Sequence, residues 1–348
     1  MGLTRRELLR LGAVTLLEAC ARPFERAARS MDQVLADQVA REREACFRAL
    51  EYPGALPPGF EWIRTAENIH VISAASFPDS FATVIYVDDT HTPDAMQDIS
   101  RFLLQAQARG IRTVGLEGIV GPIDETRRAE MLRKIAELDL EKRKLSVKCK
   151  GILPMNLQNL VDWFGTGVDF TDLPEYTSPG RGYLAYLPTN LSMKLSGIDD
   201  MTDYSAVTLS SKYHHIQRIV EHLRCLEVAT EKTLKECALE YTSPDSGKHQ
   251  KILAGKTKIG ALIEHFVRVQ ESIGLKIKIA TPAEMKELNR VRGHKAAENF
   301  TYLLRDSNEK AGVLIFGLKH ATEVRDTLTR QRISHIEIRS GNGSCEVP

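Results

Sequence analysis

Short apolar runs alternate with amphipathic segments in the first part of the chain. Residues 81–87 and 111–116 are nearly continuous apolar runs, and residues 93–109 between them have helical spacing and begin with proline. Such runs are typical of strands buried on both faces, and proline is favoured at the first position of a helix. The order strand, helix, strand predicts two parallel strands joined by a crossover helix.

The C-terminal part repeats this plan. Residues 281–284 combine a threonine cap, a proline at the first helical position and a glutamate in the first turn, and they open a helix predicted to reach residue 305. A strand, a helix and a final strand are predicted at residues 312–316, 322–330 and 333–338. Together the two parts predict an α/β fold with a largely parallel central sheet flanked by helices.

A long segment, about residues 124–275, separates the two parts. Helical spacing is found at residues 125–140, 213–238 and 252–273, and residues 171–203 are rich in Pro, Gly, Ser and Thr without a clear period. We therefore expect a mostly helical insert that covers one face or edge of the sheet. Because ligands bind at one edge of such sheets, the irregular stretch is predicted to act as a lid beside the site.

The N-terminus resembles an export signal. Arg5 and Arg6 precede a short apolar run, and residues 17–20 resemble a lipoprotein box that ends at Cys20. This reading predicts that Cys20 is lipidated, that the mature chain begins there, and that the protein is extracytoplasmic and held at the membrane only by this lipid. The alternative is an amphipathic N-terminal helix on a cytoplasmic protein. After this N-terminal segment, residues 21–60 are predicted to form a helix and a linker. Residues 61–348 are predicted to form a single α/β domain.

Charge and cysteine spacing exclude several classes of protein. The formal net charge of +1 argues against nucleic acid as a partner. The six cysteines never form a C-x-x-C pair, and their scattered spacing predicts neither a structural zinc knuckle nor a disulfide framework. A cluster of basic residues at 142–150 is interpreted as a solvated helix end.

Three polar residues follow predicted strands. His91 and His320 each come four residues after the apolar end of a strand, and Glu117 comes directly after residues 111–116. Because ligands bind at the carboxyl ends of parallel strands, these side chains are expected to share one site. Two imidazoles and a carboxylate are a common ligand set for a divalent transition metal, and without metal they can serve as an acid and base. The alternative is that each histidine is a cap or a surface residue.

Several motifs resemble those of the TraB/Tiki/ChaN-like superfamily. Residues 317–320, Gly-Leu-Lys-His, are similar to its closing G-x-x-H, and residues 292–299 match its R-x-x-x-M-x-E-N segment at Arg292, Glu298 and Asn299. The early histidine motif, residues 88–91, has Asp88 in place of the usual glycine, but Asp89 matches related bacterial sequences. The resemblance covers about residues 69–124 and 285–338.

The resemblance implies an α/β fold and metal-dependent hydrolysis of a small-molecule or peptide substrate. His91, Glu117 and His320 would hold a divalent metal ion, with Asp89 as a fourth ligand or as a group that orients a histidine. Arg292 would stabilise an oxyanion or a carboxylate. The resemblance also allows a haem- or ligand-binding lipoprotein without catalysis, and a third interpretation is a degenerate fold that serves only as an interaction scaffold.

Overall fold

The computed structural model describes residues 38–89, 92–164, 184–188, 190–240, 247–343 and 345. The chain divides into two compact units, residues 1–52 with 344–347 and residues 53–343 with 348. In the described part of the first unit, residues 38–50 are helical and Cys46 forms a disulfide with Cys345. The spacing did not predict this disulfide, because its two cysteines are 299 residues apart.

The second unit contains a seven-stranded sheet with the order β1-β7-β2-β6-β3-β5-β4. The strands are β1 (Ile69–Ala75), β2 (Thr83–Asp89), β3 (Thr113–Leu116), β4 (Val120–Ile123), β5 (Lys194–Ile198), β6 (Ala311–Gly317) and β7 (Ser334–Ser340). The five central strands are parallel to one another, and the edge strands β1 and β4 are antiparallel to their neighbours β7 and β5. The predicted α/β fold with a largely parallel sheet is therefore confirmed.

Helices flank this sheet and fill the connection between its two parts. Among the described residues they are α1 (Pro93–Ala108), α2 (Glu125–Cys149), α3 (Met155–Phe164), α4 (Met201–Glu240), α5 (Gly247–Lys276), α6 (Pro282–Asp306) and α7 (Ala321–Arg330). The predicted cap of α6 is present, since the Thr281 side chain accepts from the Glu284 amide and the Glu284 side chain accepts from the Thr281 amide. No helix in the described part of the chain is long and apolar enough to cross a membrane.

The segment between the two parts is mostly helical, as predicted, but it also contributes one strand to the sheet. Residues 194–198, which fall in the stretch predicted to be an irregular lid, form β5 inside the sheet, between β3 and β4. The strand was missed because its sequence, KLSGI, contains small residues where a buried strand usually has branched ones. Gly197 is required there, because a Cβ would lie 2.0 Å from the carbonyl carbon of Ile119. Residues 171–183 and 189 of the predicted lid lie outside the described residues.

Two apolar clusters are found among the described residues of the second unit. One packs α6 and α7 against the sheet and includes Phe300, Leu314 and Phe316, each fully buried. The other joins helices α2 to α5 around residues such as Phe266 and Leu223, also buried. The helices of the connecting segment therefore have a core of their own, and the sheet edge that carries the candidate site belongs to the first cluster.

Candidate active site at the carboxyl edge of the sheet

Three ionisable residues follow three adjacent strands. Glu117 comes directly after β3, Asp199 comes directly after β5, and His320 lies three residues beyond the end of β6. Because β6, β3 and β5 are parallel neighbours, their carboxyl ends meet at one edge of the sheet. Each of the three side chains is buried.

Arg292, on α6, connects the two carboxylates. Its Nη2 donates to Asp199 Oδ2 at 2.7 Å and to Glu117 Oε1 at 3.1 Å, and its Nε donates to Asp199 Oδ1 at 3.0 Å. This two-point contact with Asp199 is the planar geometry that a guanidinium offers a carboxylate. Burial on its own would lower the pKa of Arg292, but the charges of Asp199 and Glu117 outweigh it, so the pKa is raised.

Backbone amides hold the two carboxylates in place. Glu117 Oε2 accepts from the Gly317 amide at 2.7 Å, and Asp199 Oδ2 accepts from the Gly118 amide at 2.9 Å. The contacts tie the end of β3 to the ends of β6 and β5. Gly118 has a φ of +71°, a left-handed conformation that glycine adopts most readily. Burial raises the pKa of Asp199 in spite of the opposing charge of Arg292.

His320 turns one ring nitrogen toward Glu117. Its Nε2 lies 3.9 Å from Glu117 Oε1. Its Nδ1 faces α6, where a Cβ built on Gly293 would lie 3.4 Å from it, and it makes no hydrogen bond of ordinary geometry to a described residue. Burial lowers the pKa of His320, although Glu117 and the backbone of Asn289 favour the protonated ring. Burial therefore favours the neutral form of the ring.

Gly293 allows this close contact between α6 and the turn that carries His320. A Cβ at Gly293 would lie 2.8 Å from the Cβ of Glu323 and 3.3 Å from the Cβ of His320. Neither atom can swing away, because each is the first atom of its side chain. A glycine in the middle of a helix is otherwise unfavourable, so its use here indicates that the position of His320 depends on close packing.

Aromatic rings enclose the guanidinium of Arg292. The ring centroids of Tyr204 and Phe316 lie 4.9 Å and 5.6 Å from its Cζ, within the range of cation–π contacts. Burial raises the pKa of Tyr204, so its phenol stays neutral. The Phe316 ring also packs edge-on against the His320 imidazole, with centroids 4.7 Å apart. The aromatic rings exclude water and thereby strengthen the contacts between the charged groups.

A second buried ion-pair network lies on the neighbouring strands. Asp88, on β2, pairs with Arg339 on β7, and both are almost fully buried. Glu337 accepts a hydrogen bond from Ser73 at 2.8 Å and lies 3.3 Å from Arg325. The carboxylate of Asp88 has a structural partner here, since its ion pair with Arg339 connects β2 to β7.

The structure brings Glu117, His320 and Arg292 together, but it leaves other predicted site residues undescribed. His91 and Cys20 lie outside the described residues. Asp89 is the last residue of β2 and lies opposite Gly317 in β6, at the same edge of the sheet, but its side chain is also outside the described part.

Asp199 is the functional candidate that sequence reasoning missed. It is the first charged residue after a buried strand, as Glu117 is after β3. The same rule would have found it once residues 194–198 were recognised as a strand. Asp199 was not predicted because the sequence of β5 is not typical of a strand, and not because its own chemistry is unusual.

Among the described residues, no group of three or more His, Cys, Asp or Glu side chains is arranged to hold a metal ion. Two side chains lie close enough to each other to serve as a pair of donors. His320 Nε2 and Glu117 Oε1, at 3.9 Å, are close enough for one ion to contact both at the usual distance of about 2 Å. Glu117 Oε1 accepts from Arg292, but a carboxylate oxygen has a second lone pair. A metal ion held by this pair would need at least one further ligand.

Comparisons with protein-family models, with curated proteins and with solved structures found no match to this chain.

Proposed function

We propose that the chain is a hydrolase-like enzyme that acts at the carboxyl edge of its sheet. The observation that carries this proposal is the buried imidazole of His320, which faces the Glu117 carboxylate beside the guanidinium of Arg292. Taking an ionisable group out of water costs several kcal/mol unless the group is well paired, even after the protein has relaxed around it. Ionisable groups with perturbed pKa values cluster at functional sites, so this buried group is a candidate site.

The contacts support a distinct role for each residue. His320 has a depressed pKa and so can accept a proton, or donate an electron pair to a metal, near neutral pH. Glu117 is held by Arg292 and by the Gly317 amide, which fixes its direction toward the imidazole. Arg292 already binds two carboxylates of the protein, so we assign it no oxyanion of the substrate. We assign Arg292 and Asp199 as positioning residues.

A divalent ion held by His320 and Glu117 would lower the pKa of a bound water and polarise the substrate. His91 and Asp89 are the predicted additional ligands, since their strand ends at the same edge of the sheet. The proposed substrate is a small molecule or a peptide. Haem binding without catalysis is the alternative cofactor assignment that the superfamily resemblance offers, and it predicts a Soret band after haemin is added.

A substrate screen with matched histidine variants tests this proposal. The purified chain is assayed against carboxylic esters, peptides and phosphate esters, with and without added Zn²⁺ or Mn²⁺. We expect turnover of one class, and a loss of at least about 100-fold in His320→Gln, the usual contribution of an acid or base. His222→Gln, on α4 and outside the site, is the control and should keep full activity. Absence of turnover, or equal activity of the two variants, would contradict the proposal.

We also propose that the protein works outside the cytoplasm. The support is the signal-like N-terminus together with the disulfide between Cys46 and Cys345. Structural disulfides persist in oxidising compartments and are rare in the cytosol. Fractionation of cells that express the full chain or Cys20→Ser tests this, with wild-type chain expected in the membrane fraction and the variant released from it.

A further inference from the structure

A large groove lies in the helical part of the second unit, away from the candidate active site. It has a volume of about 1620 Å³ and runs between α2 and α5. Its apolar lining includes Leu145, Leu226, Ile259 and Leu262, which belong to the core shared by the helices. Drug-sized ligands occupy pockets of roughly 300–1,000 Å³. The groove is therefore suited to an extended apolar group.

Basic side chains surround this groove. Among the described residues, seven cations and two carboxylates line it: Lys134, Arg143, Lys144, Lys148, Lys150, Lys258, Arg268, Glu137 and Glu141. Both carboxylates already have cation partners, since Lys134 lies 3.6 Å from Glu137 and Lys144 lies 2.6 Å from Glu141. Because the whole chain has a net charge of only +1, this is a strong local excess of positive charge.

His265 lies within the groove and has an unsatisfied polar atom. Its Nε2 is buried and makes no hydrogen bond to any described residue. Burial lowers the pKa of His265, and the nearby cations Arg268, Lys148 and Lys212 lower it further. An imidazole N–H beside three cations is a good donor to an anion, and the anion would also neutralise the local charge.

Exposed apolar residues accompany the basic ones on α2. Leu140 and Val147 are 55% and 72% exposed, and their separation of seven residues places them on one face of the helix. A surface that binds the phosphate backbone of a nucleic acid needs the cations but not the exposed apolar side chains. Apolar and basic groups side by side are instead characteristic of sites for lipids with an anionic head.

We propose that the groove binds a single-chain anionic lipid. The carboxylate or phosphate head lies at His265, Lys148 and Arg268, where an acceptor satisfies the imidazole and the cations. The acyl chain lies along Leu145, Ile259 and Leu262 and is removed from water there. This site is independent of the active-site proposal, because it shares no residue with the carboxyl edge of the sheet.

Parinarate, a fluorescent fatty acid, and its methyl ester are the probes for this proposal. The full chain is expected to bind parinarate saturably at one site, and the ester, which has the same chain without the charge, about tenfold or more weakly. Lys148→Glu combined with Arg268→Glu should weaken parinarate binding by at least about tenfold, because the head would then meet like charge. Lys278→Glu combined with Lys286→Glu makes the same change in net charge outside the groove and should leave binding unchanged.

Several results would overturn the proposal. They are the absence of saturable parinarate binding, equal affinity for acid and ester, and equal losses in the two double variants. Binding of an acidic amphipathic peptide but not of parinarate would assign the groove to a protein partner. The chain could also co-sediment with phosphatidylglycerol vesicles without binding monomeric parinarate. That result would show that the basic residues around the groove bind a membrane surface, and it would likewise refute a lipid-binding groove.

Discussion

At the scale of single residues, Arg292 is the group on which the buried charges of the site depend. It is 4% exposed and contacts both Glu117 and Asp199. Arg292→Met would leave two buried carboxylates without this partner, and we expect the free energy of unfolding to fall by about 3–5 kcal/mol.

Urea unfolding of Arg292→Met and Arg290→Met measures this effect. Arg290 is on the same helix and pairs with Glu287 at 2.6 Å, but it is half exposed. Its replacement should cost much less, because an exposed ion pair is screened by water. Equal losses in the two variants would show that the buried cluster adds nothing to stability.

His320 makes the stability of the fold depend on pH. Burial lowers its pKa below the value of about 6.5 expected in the unfolded chain. The unfolded state therefore binds more protons, and stability falls as the pH falls from about 6.5 through the folded pKa. His320→Gln should remove this contribution and so flatten the dependence of the unfolding free energy on pH. A tenfold difference in proton affinity between the two states corresponds to about 1.4 kcal/mol.

Unfolding of wild type and His320→Gln at several pH values between about 5 and 8 tests this sign. The pKa values of His215, His265 and His335 are also lowered by burial, but these residues are present in both proteins and cancel. Parallel curves would mean that His320 titrates alike in the folded and unfolded states.

At the scale of the elements, the contact between α6 and the turn after β6 decides where His320 lies. Gly293→Ala places a Cβ 2.8 Å from the Cβ of Glu323, so the two elements must move apart by a few tenths of an ångström. We expect a loss of about 1–3 kcal/mol in stability, as for other overpacked sites, although alanine favours a helix.

Gly255→Ala, in α5, is the matched control. A Cβ there meets nothing within 4 Å, so the change should be neutral or stabilising by up to about 1 kcal/mol. The NMR signal of the His320 ring should shift in Gly293→Ala and not in Gly255→Ala. An unshifted signal in both would contradict the assigned role of Gly293.

Element patterns also explain how much the sequence could predict. The strands β2, β3, β6 and β7 were recognisable because they have long or branched apolar residues. The start of α6 was recognisable because its capping sequence is complete. β5 was not recognisable because Ser196 and Gly197 give no apolar period. Gly197 is explained only by Ile119, which lies against it across a strand pairing that local sequence does not encode. Asp199 was therefore not predicted as a site residue, because it directly follows that strand.

At the scale of the whole molecule, the Cys46–Cys345 disulfide joins residues 299 positions apart. Both belong to the unit that contains residues 1–52 and 344–347. Replacing both cysteines with serine should lower the stability of that unit by about 2–4 kcal/mol. Replacing the exposed, unpaired Cys225 should change it by less than about 0.5 kcal/mol.

Mass spectrometry of a non-reduced digest checks the disulfide directly. The protein, prepared without reductant, should yield one peptide pair joined through Cys46 and Cys345, which separates after reduction. Recovery of the two peptides unlinked, with both thiols alkylated, would contradict the disulfide. It would also remove one of the two observations behind the proposed extracytoplasmic location.

The central claim is that Glu117 and His320 act together on one ligand at the carboxyl edge of the sheet. Calorimetric titration of the metal-free protein with Zn²⁺ and Mn²⁺ tests it most directly. We predict one ion bound per chain by wild type and by His222→Gln, and an affinity reduced by at least about 100-fold in Glu117→Gln and in His320→Gln, since each removes a ligand. Unchanged affinity in these two variants, or binding of neither ion by the wild-type protein, would contradict the claim.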